Sequence, residues 1–475
     1  MASVILSFLF FLLLFAAIGA LSIRRKRSRV DDYLLAGRSV SPWLTGLSSV
    51  VTNNSGYMFI GLIGFTYTHG ISAVWLMIGW LVGDAIAWMT VHPRLRRASE
   101  TSLSQTVGGL IAEAVDGPAR PVAIALALVT IAFLATYAAA QFNAGGKALQ
   151  VMFHWRLEAG AVIGAGLVLL YSYAGGIRAS IWTDAAQSAV MLSAMLALLV
   201  LCLLEIGGAG PLVAALHAQD PALVDPIPPD LRFGFGLFAF GWVMAGLGVA
   251  GQPHILIRTM ALESAREIWI ARSVYFGWYV PFATAAVLVA LSARVLMPDA
   301  GSFDAELALP LLAQELMPGV LVGLVLASIF AATISTADSQ LLSCSAAITQ
   351  DLFPGVGQSY AMVKLGTAAV TAAALGVVLL APSNVFNLVI IAWSGLAAGI
   401  GPLMVVRLFG GRVRTGVALA MIAGGVGTVA LWRFALGFSA DVYEVAPGAA
   451  AAFAIYAVGR LIAPAARKSA LQETG

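Results

Sequence analysis

The sequence has few charged residues for its length, since Asp, Glu, Lys and Arg together make up only 10% of its 475 residues. Soluble globular domains average about 25% charged residues. Hydrophobic residues account for 60% of the chain, and the mean hydropathy is +0.92. These values exclude a soluble globular protein and indicate a polytopic membrane protein.

Several chemical signatures are missing as well. Cysteine occurs only at Cys202 and Cys344, each inside an apolar run, which excludes a disulfide framework and a cysteine-based metal site. The formal net charge of +3 does not suggest a nucleic-acid partner. No HExxH or GxxxxGK[ST] motif occurs, the five histidines are scattered, and no repeated pore-lining element suggests a channel. We therefore expect no enzyme, and any uphill transport must use an ion gradient.

Thirteen apolar stretches are candidates for membrane spans. They lie near residues 2–23, 43–70, 72–92, 122–148, 159–175, 181–205, 234–256, 268–295, 307–350, 361–381, 386–407, 415–432 and 446–462. The ninth is too long for one simple crossing. The first is followed, not preceded, by a basic cluster, so we interpret it as a retained helix and not as a signal peptide.

The basic residues predict the orientation of the chain. With the N-terminus outside, 21 of the 26 Lys and Arg residues would lie on the cytoplasmic side, Arg258 among them. Such a bias is what the positive-inside rule requires. The five left outside are Lys147, Arg156, Arg232, Arg294 and Arg433. We therefore expect a cytoplasmic C-terminus.

Two spans are interrupted by polar and glycine residues. The second contains the run from Thr52 to Gly56, and the seventh contains the run from Gly246 to His254. Backbone groups inside a bilayer must be paired, so such breaks are expected where a helix faces protein or a water-filled site. A broken helix offers carbonyl oxygens to a cation and a helix N-terminus to an anion. The alternative interpretation is that the small and amide side chains only promote helix packing.

A third polar group lies on the ninth span, where Ser335, Asp338 and Ser339 share one helical face. Hydroxyls beside a carboxylate can bind a hard monovalent cation, whereas an unpaired carboxylate in the bilayer is costly. Asp184, in the sixth span, is a second candidate anion, and its alternative role is a helix N-cap. For Asp84, in the third span, we expect a packing or interfacial role.

Five sequence blocks then resemble one family. They are Asp31–Ser39 (DDYLLAGRS), Ser55–Gly61 (SGYMFIG), Trp182–Gln187 (WTDAAQ), Gly251–Leu256 (GQPHIL), and Ser335–Leu342 (STADSQLL) with Ala347–Leu352 (AITQDL). In order and spacing they resemble the sodium:solute symporter family, most of all its bacterial sodium/proline symporter branch.

The resemblance implies an all-α polytopic membrane protein. Its fold would be a LeuT-type five-plus-five inverted repeat with about 13 transmembrane helices. The implied divisions of this single domain are a leading helix at 2–23, a first repeat at 43–205, a second repeat at 234–407, two trailing helices at 415–462 and a cytoplasmic tail at 463–475.

The resemblance also implies binding residues. A sodium site would lie between the second and ninth spans, at Val51, Asn54, Ala332, Ser335 and Thr336. A second sodium site is implied at Asp184, Ser335, Asp338 and Ser339. The solute would bind at the two helix breaks, near Asn53, Ser55, Gly56, Tyr57, Tyr137, Ala245, Val249, Gln252, Pro253 and Gln340.

The implied function is sodium-coupled import of a small organic solute by alternating access, with proline or another amino acid as the first candidate. The proline-transporter pattern differs at five positions, with Asp at Asn53, Trp at Tyr57, Trp at Ala245, Tyr at Val249 and Cys at Ser339. The partners would be the solute, Na⁺ and the lipid bilayer of a bacterial inner membrane, with no obligatory protein partner. Proton coupling, or a non-transporting membrane sensor with this fold, are the alternatives.

Overall fold

The computed structural model describes residues 1–23, 30–299, 301–355, 359–380 and 384–462, and these residues are almost entirely helical. The first half of the chain contains α1 (Ala2–Ile23), α2 (Val30–Leu35), α3 (Pro42–Asn53), α4 (Leu62–His69), α5 (Val74–Thr101), α6 (Val107–Ala112), α7 (Arg120–Phe153), α8 (Leu157–Ile206) and α9 (Ala209–Gln219). The predicted tail 463–475 and the basic residues at 24–29 lie outside the described ranges.

The second half continues with α10 (Gly234–Leu247), α11 (Pro253–Ala261), α12 (Ile268–Leu296), α13 (Ala308–Leu316), α14 (Gly319–Ala346), α15 (Tyr360–Leu380), α16 (Val385–Leu408), α17 (Thr415–Ala430) and α18 (Val445–Ile462). Two short strands, β1 (Val115–Asp116) and β2 (Val413–Arg414), pair in parallel and join the loops before α7 and α17.

Eleven helical segments within the described ranges are long and apolar enough to cross a membrane, and Leu157–Leu170 forms a shorter apolar helix. The long apolar stretch at 307–350 divides at Met317 and Pro318, where α13 ends and α14 begins. The predicted loops after α5 and α8 contain the short helices α6 and α9. The count of thirteen spans stays a prediction.

The predicted fifth and sixth spans both lie in α8, and the helix bends between them at a single glycine. Gly176 has φ 60° and ψ −154°, a conformation that L-residues with a side chain avoid. A Cβ atom there would lie 2.5 Å from the ring of Tyr33 in α2. Nearby, Arg178 donates to Asp32 Oδ1 at 2.6 Å and to the carbonyl of Ala36 at 2.6 Å. The block at 31–39, which includes most of α2, is therefore packed against the bend in α8 and hydrogen-bonded to it.

Both predicted helix breaks are present. Between α3 and α4, the backbone leaves the helix at Asn54 and re-enters it through a π-helical turn at Tyr57–Gly61. Between α10 and α11, a 3₁₀ turn at Gly248–Gly251 is followed by the extended residue Gln252. The two breaks are the places where the long helices leave backbone groups available to a ligand.

Candidate solute and sodium sites

The first helix break is fixed by contacts with α7. The backbone N–H of Gly56 donates to Gln141 Oε1 at 2.9 Å, and the hydroxyls of Ser55 and Tyr137 lie 3.4 Å apart. A Cβ atom at Gly56 would lie 2.6 Å from the side chain of Thr333 on α14. Glycine is therefore required where the break passes between α7 and α14.

The predicted sodium site lies where this break meets α14. The Thr336 hydroxyl donates to the carbonyl of Thr52 at 3.2 Å, and the Ser335 hydroxyl donates to the carbonyl of Ala332 at 3.2 Å. All five predicted ligands are buried, namely Val51, Asn54, Ala332, Ser335 and Thr336. The Asn54 side chain donates to the carbonyl of Val50 at 2.8 Å, so its own amide stabilises the end of α3. The oxygens on α3 and α14 are thus close enough for one small cation to contact both helices.

The second helix break contacts α16. Gln252 Nε2 donates to the carbonyl of Trp393 at 3.1 Å, and Trp393 Nε1 donates to the carbonyl of Ala245 at 2.8 Å. Ala245 and Val249, where the proline-transporter pattern has Trp and Tyr, are both fully buried. The Trp393 indole packs directly against this break, because a Cβ atom on Gly248 would lie 2.9 Å from its nitrogen.

Aromatic rings connect the two breaks. Trp80, on α5, lies 4.6 Å from Trp393, 6.1 Å from Tyr57 and 6.5 Å from Trp242, measured between ring centroids. Trp242 also stacks on Tyr443 at 4.8 Å. These rings supply an apolar wall between the two predicted solute-binding segments.

Several buried polar atoms near the breaks have no hydrogen-bond partner among the described residues. They are Tyr57 Oη, Gln252 Oε1, both amide atoms of Gln340 and both ring nitrogens of His254. His254 directly follows Pro253 and lies edge-on to Tyr137, while Gln340 lies one turn beyond Thr336 on α14. Buried polar groups are normally hydrogen-bonded to protein, water or ligand. These groups are therefore available to bind water or a polar solute.

The second predicted sodium site contains a positively charged side chain that the sequence analysis missed. Arg258 Nη2 lies 3.1 Å from Asp184 Oδ2, and it also donates to Ser339 Oγ. Arg258 Nε donates to Ser48 Oγ at 2.7 Å, and Ser48 donates to Asp184 Oδ2 at 2.5 Å. The side chains of Arg258 and Asp184 are both 0% exposed.

Arg258 therefore lies inside α11 and is buried, and its place on the cytoplasmic side stays a prediction. Of the remaining predicted ligands, Ser339 donates to the carbonyl of Ser335 at 2.6 Å, and Asp338 is buried on the same helix. In this structure a guanidinium balances the Asp184 charge, so this carboxylate does not require a sodium ion.

Asp84 has more than the packing role expected for it. Tyr275 Oη donates to Asp84 Oδ2 at 2.5 Å, and Asn53 Nδ2 donates to the same oxygen at 3.3 Å. Asn53 Nδ2 also donates to Tyr275 Oη. The sequence does contain a signal for the contacts of Asp84 and Arg258. Each is a charged residue inside an apolar run, Asp84 in α5 and Arg258 in α11.

The family model for the sodium:solute symporter family matches residues 33–425. The chain belongs to this family. The high-affinity proline transporter PutP of Bacillus subtilis is 32% identical over 437 residues, covering 90% of this chain and 91% of the relative. The sodium/proline symporter of Escherichia coli is 33% identical over 438 residues, covering 89% of this chain and 86% of the relative.

The solved structure of another protein has the same fold as this symporter. The substrate-bound, outward-open state of a Na⁺-coupled sialic acid symporter matches it with a TM-score of 0.80 at 18% identity, covering 97% of this chain and 98% of that chain. The predicted LeuT-type inverted-repeat fold is thereby confirmed. The symporter is a multi-pass bacterial inner-membrane protein that couples solute import to sodium.

Proposed function

We propose that this symporter imports a small amino acid, with proline as the first candidate, together with sodium by alternating access. Two relatives are named as proline transporters, and the unpartnered polar atoms at the helix breaks suit a solute with amino and carboxylate groups. The Trp393 and Trp80 rings, instead of aromatic residues at 245 and 249, would enclose the apolar part of the solute. We also propose that the protein is a transporter without enzymatic activity.

The observation that carries this proposal is the hydrogen bond from Thr336 to the carbonyl of Thr52, since it joins the predicted sodium site to the first helix break. A sodium ion bound there would hold α3 against α14 and fix the residues from Asn53 to Tyr57. Solute affinity should then rise with sodium, and sodium affinity should rise with solute by the same factor.

We propose the topology that the basic residues predict, with the N-terminus outside and the C-terminus in the cytoplasm. Within the single transporter domain, 43–205 and 234–407 would be the two inverted repeats, with 2–23 and 415–462 as added helices. Each repeat then begins with one of the two broken helices, as an inverted pair requires.

The test is the sodium dependence of proline uptake by Ser335→Ala and Thr336→Ala in proteoliposomes. Loss of one ligand to the ion should raise the sodium concentration for half-maximal uptake by at least about tenfold, or about 1.4 kcal/mol. Ser328→Ala is the matched control, because the Ser328 hydroxyl is buried on the same helix and donates to the carbonyl three residues before it, as Ser335 does, but is not among the predicted sodium ligands. Equal sodium activation in all four proteins would refute the sodium assignment.

The solute is identified by thermal stabilisation of the purified symporter. Amino acids, sugars and carboxylates are compared in sodium and in potassium at constant ionic strength, because a ligand stabilises the fold by RT ln(1 + [L]/Kd). A sodium-dependent shift with proline supports the proposal, and a shift with another solute replaces proline. A shift that follows pH and ignores sodium would favour proton coupling, and no shift at all would favour a sensor.

A further inference from the structure

Asp84 is a carboxylate in the interior of the helical bundle. It lies on α5 with 0% of its surface exposed. Its Oδ2 accepts hydrogen bonds from Tyr275 and Asn53, and both donors are neutral. Its second oxygen, Oδ1, has no hydrogen-bond partner among the residues that the structure describes.

Four other buried carboxylates in the described part of the chain have a basic partner. These pairs are Asp32 with Arg178, Asp184 with Arg258, Glu306 with Lys147, and Glu444 with Arg433. Within the described ranges, no Lys, Arg or His forms a salt bridge with Asp84. An ionised carboxylate in a low-dielectric interior costs several kcal/mol unless a positive charge compensates it. Asp84 therefore has to gain either a proton or a cation.

The surrounding atoms are of the kind that bind a hard cation. Asn53 Oδ1 is also buried and without a hydrogen-bond partner in the described part of the chain, and Asn53 is bonded to Asp84 through its other amide atom. Carboxylate and amide oxygens are preferred ligands of hard cations, as in calcium and magnesium sites. Two neighbouring side chains thus each present an unused acceptor oxygen.

The backbone around Asp84 packs closely against α10. On the α10 side, a Cβ atom at Gly246 would lie 2.1 Å from the carbonyl oxygen of Trp80 and 2.7 Å from the backbone nitrogen of Asp84. At Gly83 a Cβ atom would lie 2.0 Å from the carbonyl of Val243. Helices in such close contact leave little space for the carbon skeleton of a solute.

We propose that Asp84 and Asn53 bind a sodium ion at a site separate from Ser335 and Thr336. This inference rests on the proposed sodium-coupled function. It assigns the second coupling ion to Asp84, which has no salt bridge within the described ranges, and not to Asp184, which is paired with Arg258. Since Asn53 ends α3 at the first helix break, an ion at this site also fixes the segment that is predicted to bind the solute.

The test is equilibrium binding of radioactive sodium to the purified, solute-free symporter, with Asp84→Asn as the principal variant. We expect this variant to bind one fewer ion, or to bind sodium with a Kd at least about tenfold higher. Asp351→Asn is the control for loss of a buried carboxylate elsewhere, since Asp351 is hydrogen-bonded to Thr106 and should retain wild-type binding. Asn53→Ala keeps the Asp84 carboxylate and should also weaken sodium binding, which provides a second variant if Asp84→Asn does not fold.

Each outcome of the binding experiment supports or overturns the sodium site at Asp84 and Asn53. Sodium binding within twofold of wild type in Asp84→Asn, or in Asn53→Ala if that is the only folded variant, overturns the site and leaves the sodium-coupled function intact. If Asp84→Asn changes only proline affinity, the carboxylate serves the solute and the sodium site is again wrong. If the wild-type protein binds no sodium, the proposed coupling fails together with the site.

Discussion

Breaking the buried pair of Arg258 and Asp184 should destabilise the symporter strongly, and neutralising both residues should restore most of the loss. The two side chains are fully buried, with 3.1 Å between Arg258 Nη2 and Asp184 Oδ2. Arg258 also donates to Ser48, to Ser180 at 3.3 Å and to the carbonyl of His254 at 2.6 Å. Arg258→Met removes the charge and all of these hydrogen bonds, and it leaves the buried Asp184 carboxylate without its partner.

Removing one partner of a buried ion pair typically costs about 3–5 kcal/mol. At about 2.1 cal/mol/K per residue, the unfolding entropy of a chain of this length is about 1 kcal/mol/K. Arg258→Met should therefore lower Tm by about 3–5 °C. The double variant Arg258→Met with Asp184→Asn contains no buried charge at this position, and it should recover at least about 2 °C of that loss.

The assay is thermal unfolding of the four proteins of this double-mutant cycle in detergent, followed by tryptophan fluorescence. The cycle isolates the pairwise energy from the loss of each side chain alone. A loss of stability in the double variant equal to the sum of the two single losses would show that the pair is not energetically coupled. Sodium titration of the same proteins provides a second readout, because a sodium ion at Asp184 would be lost in every variant that contains Asp184→Asn.

Two further predictions concern single side chains. Glu306→Gln should lower stability by about 3 kcal/mol, because the buried Glu306 contacts Lys147 at 2.6 Å and accepts the first backbone N–H groups of α16. The half-exposed neighbour Asp304 contacts the same lysine, and Asp304→Asn should cost less than about 1 kcal/mol. Similar losses of Tm in Glu306→Gln and Asp304→Asn would contradict this reasoning. Gln340→Leu should raise the KM for the solute while Tm stays unchanged or increases, since its amide atoms are buried without partners in the described structure. A lower Tm with an unchanged KM would place Gln340 in the packing of α14 alone.

The helix breaks could be predicted because their signal is local. Glycine, proline and clustered polar residues interrupt an apolar run at 52–56 and at 246–254, and the backbone departs from the helix at both positions. Two of the family blocks, 55–61 and 251–256, overlap these segments, so part of the family resemblance lies at the breaks themselves. The division of 307–350 into α13 and α14 has an equally local cause in Pro318.

The partners of the buried charges could not be predicted in this way. Arg258 and Asp184 are 74 residues apart in sequence, and Asp84 and Tyr275 are 191 residues apart. Periodicity along one helix shows which residues share a face, but it does not show which face of another helix lies opposite. Arg258 was therefore counted with the loop residues, and Asp84 was assigned to packing.

The pairing of Arg258 with Asp184 also bears on how the membrane voltage acts on the symporter. One elementary charge that moves through 100 mV changes its energy by about 2.3 kcal/mol. Because the guanidinium and the carboxylate are in direct contact, they move as a neutral unit wherever α11 and α8 move together. An electrical field across the bilayer therefore does little work on this pair, and the current that accompanies transport reports the ions that bind, not the arginine inside the protein.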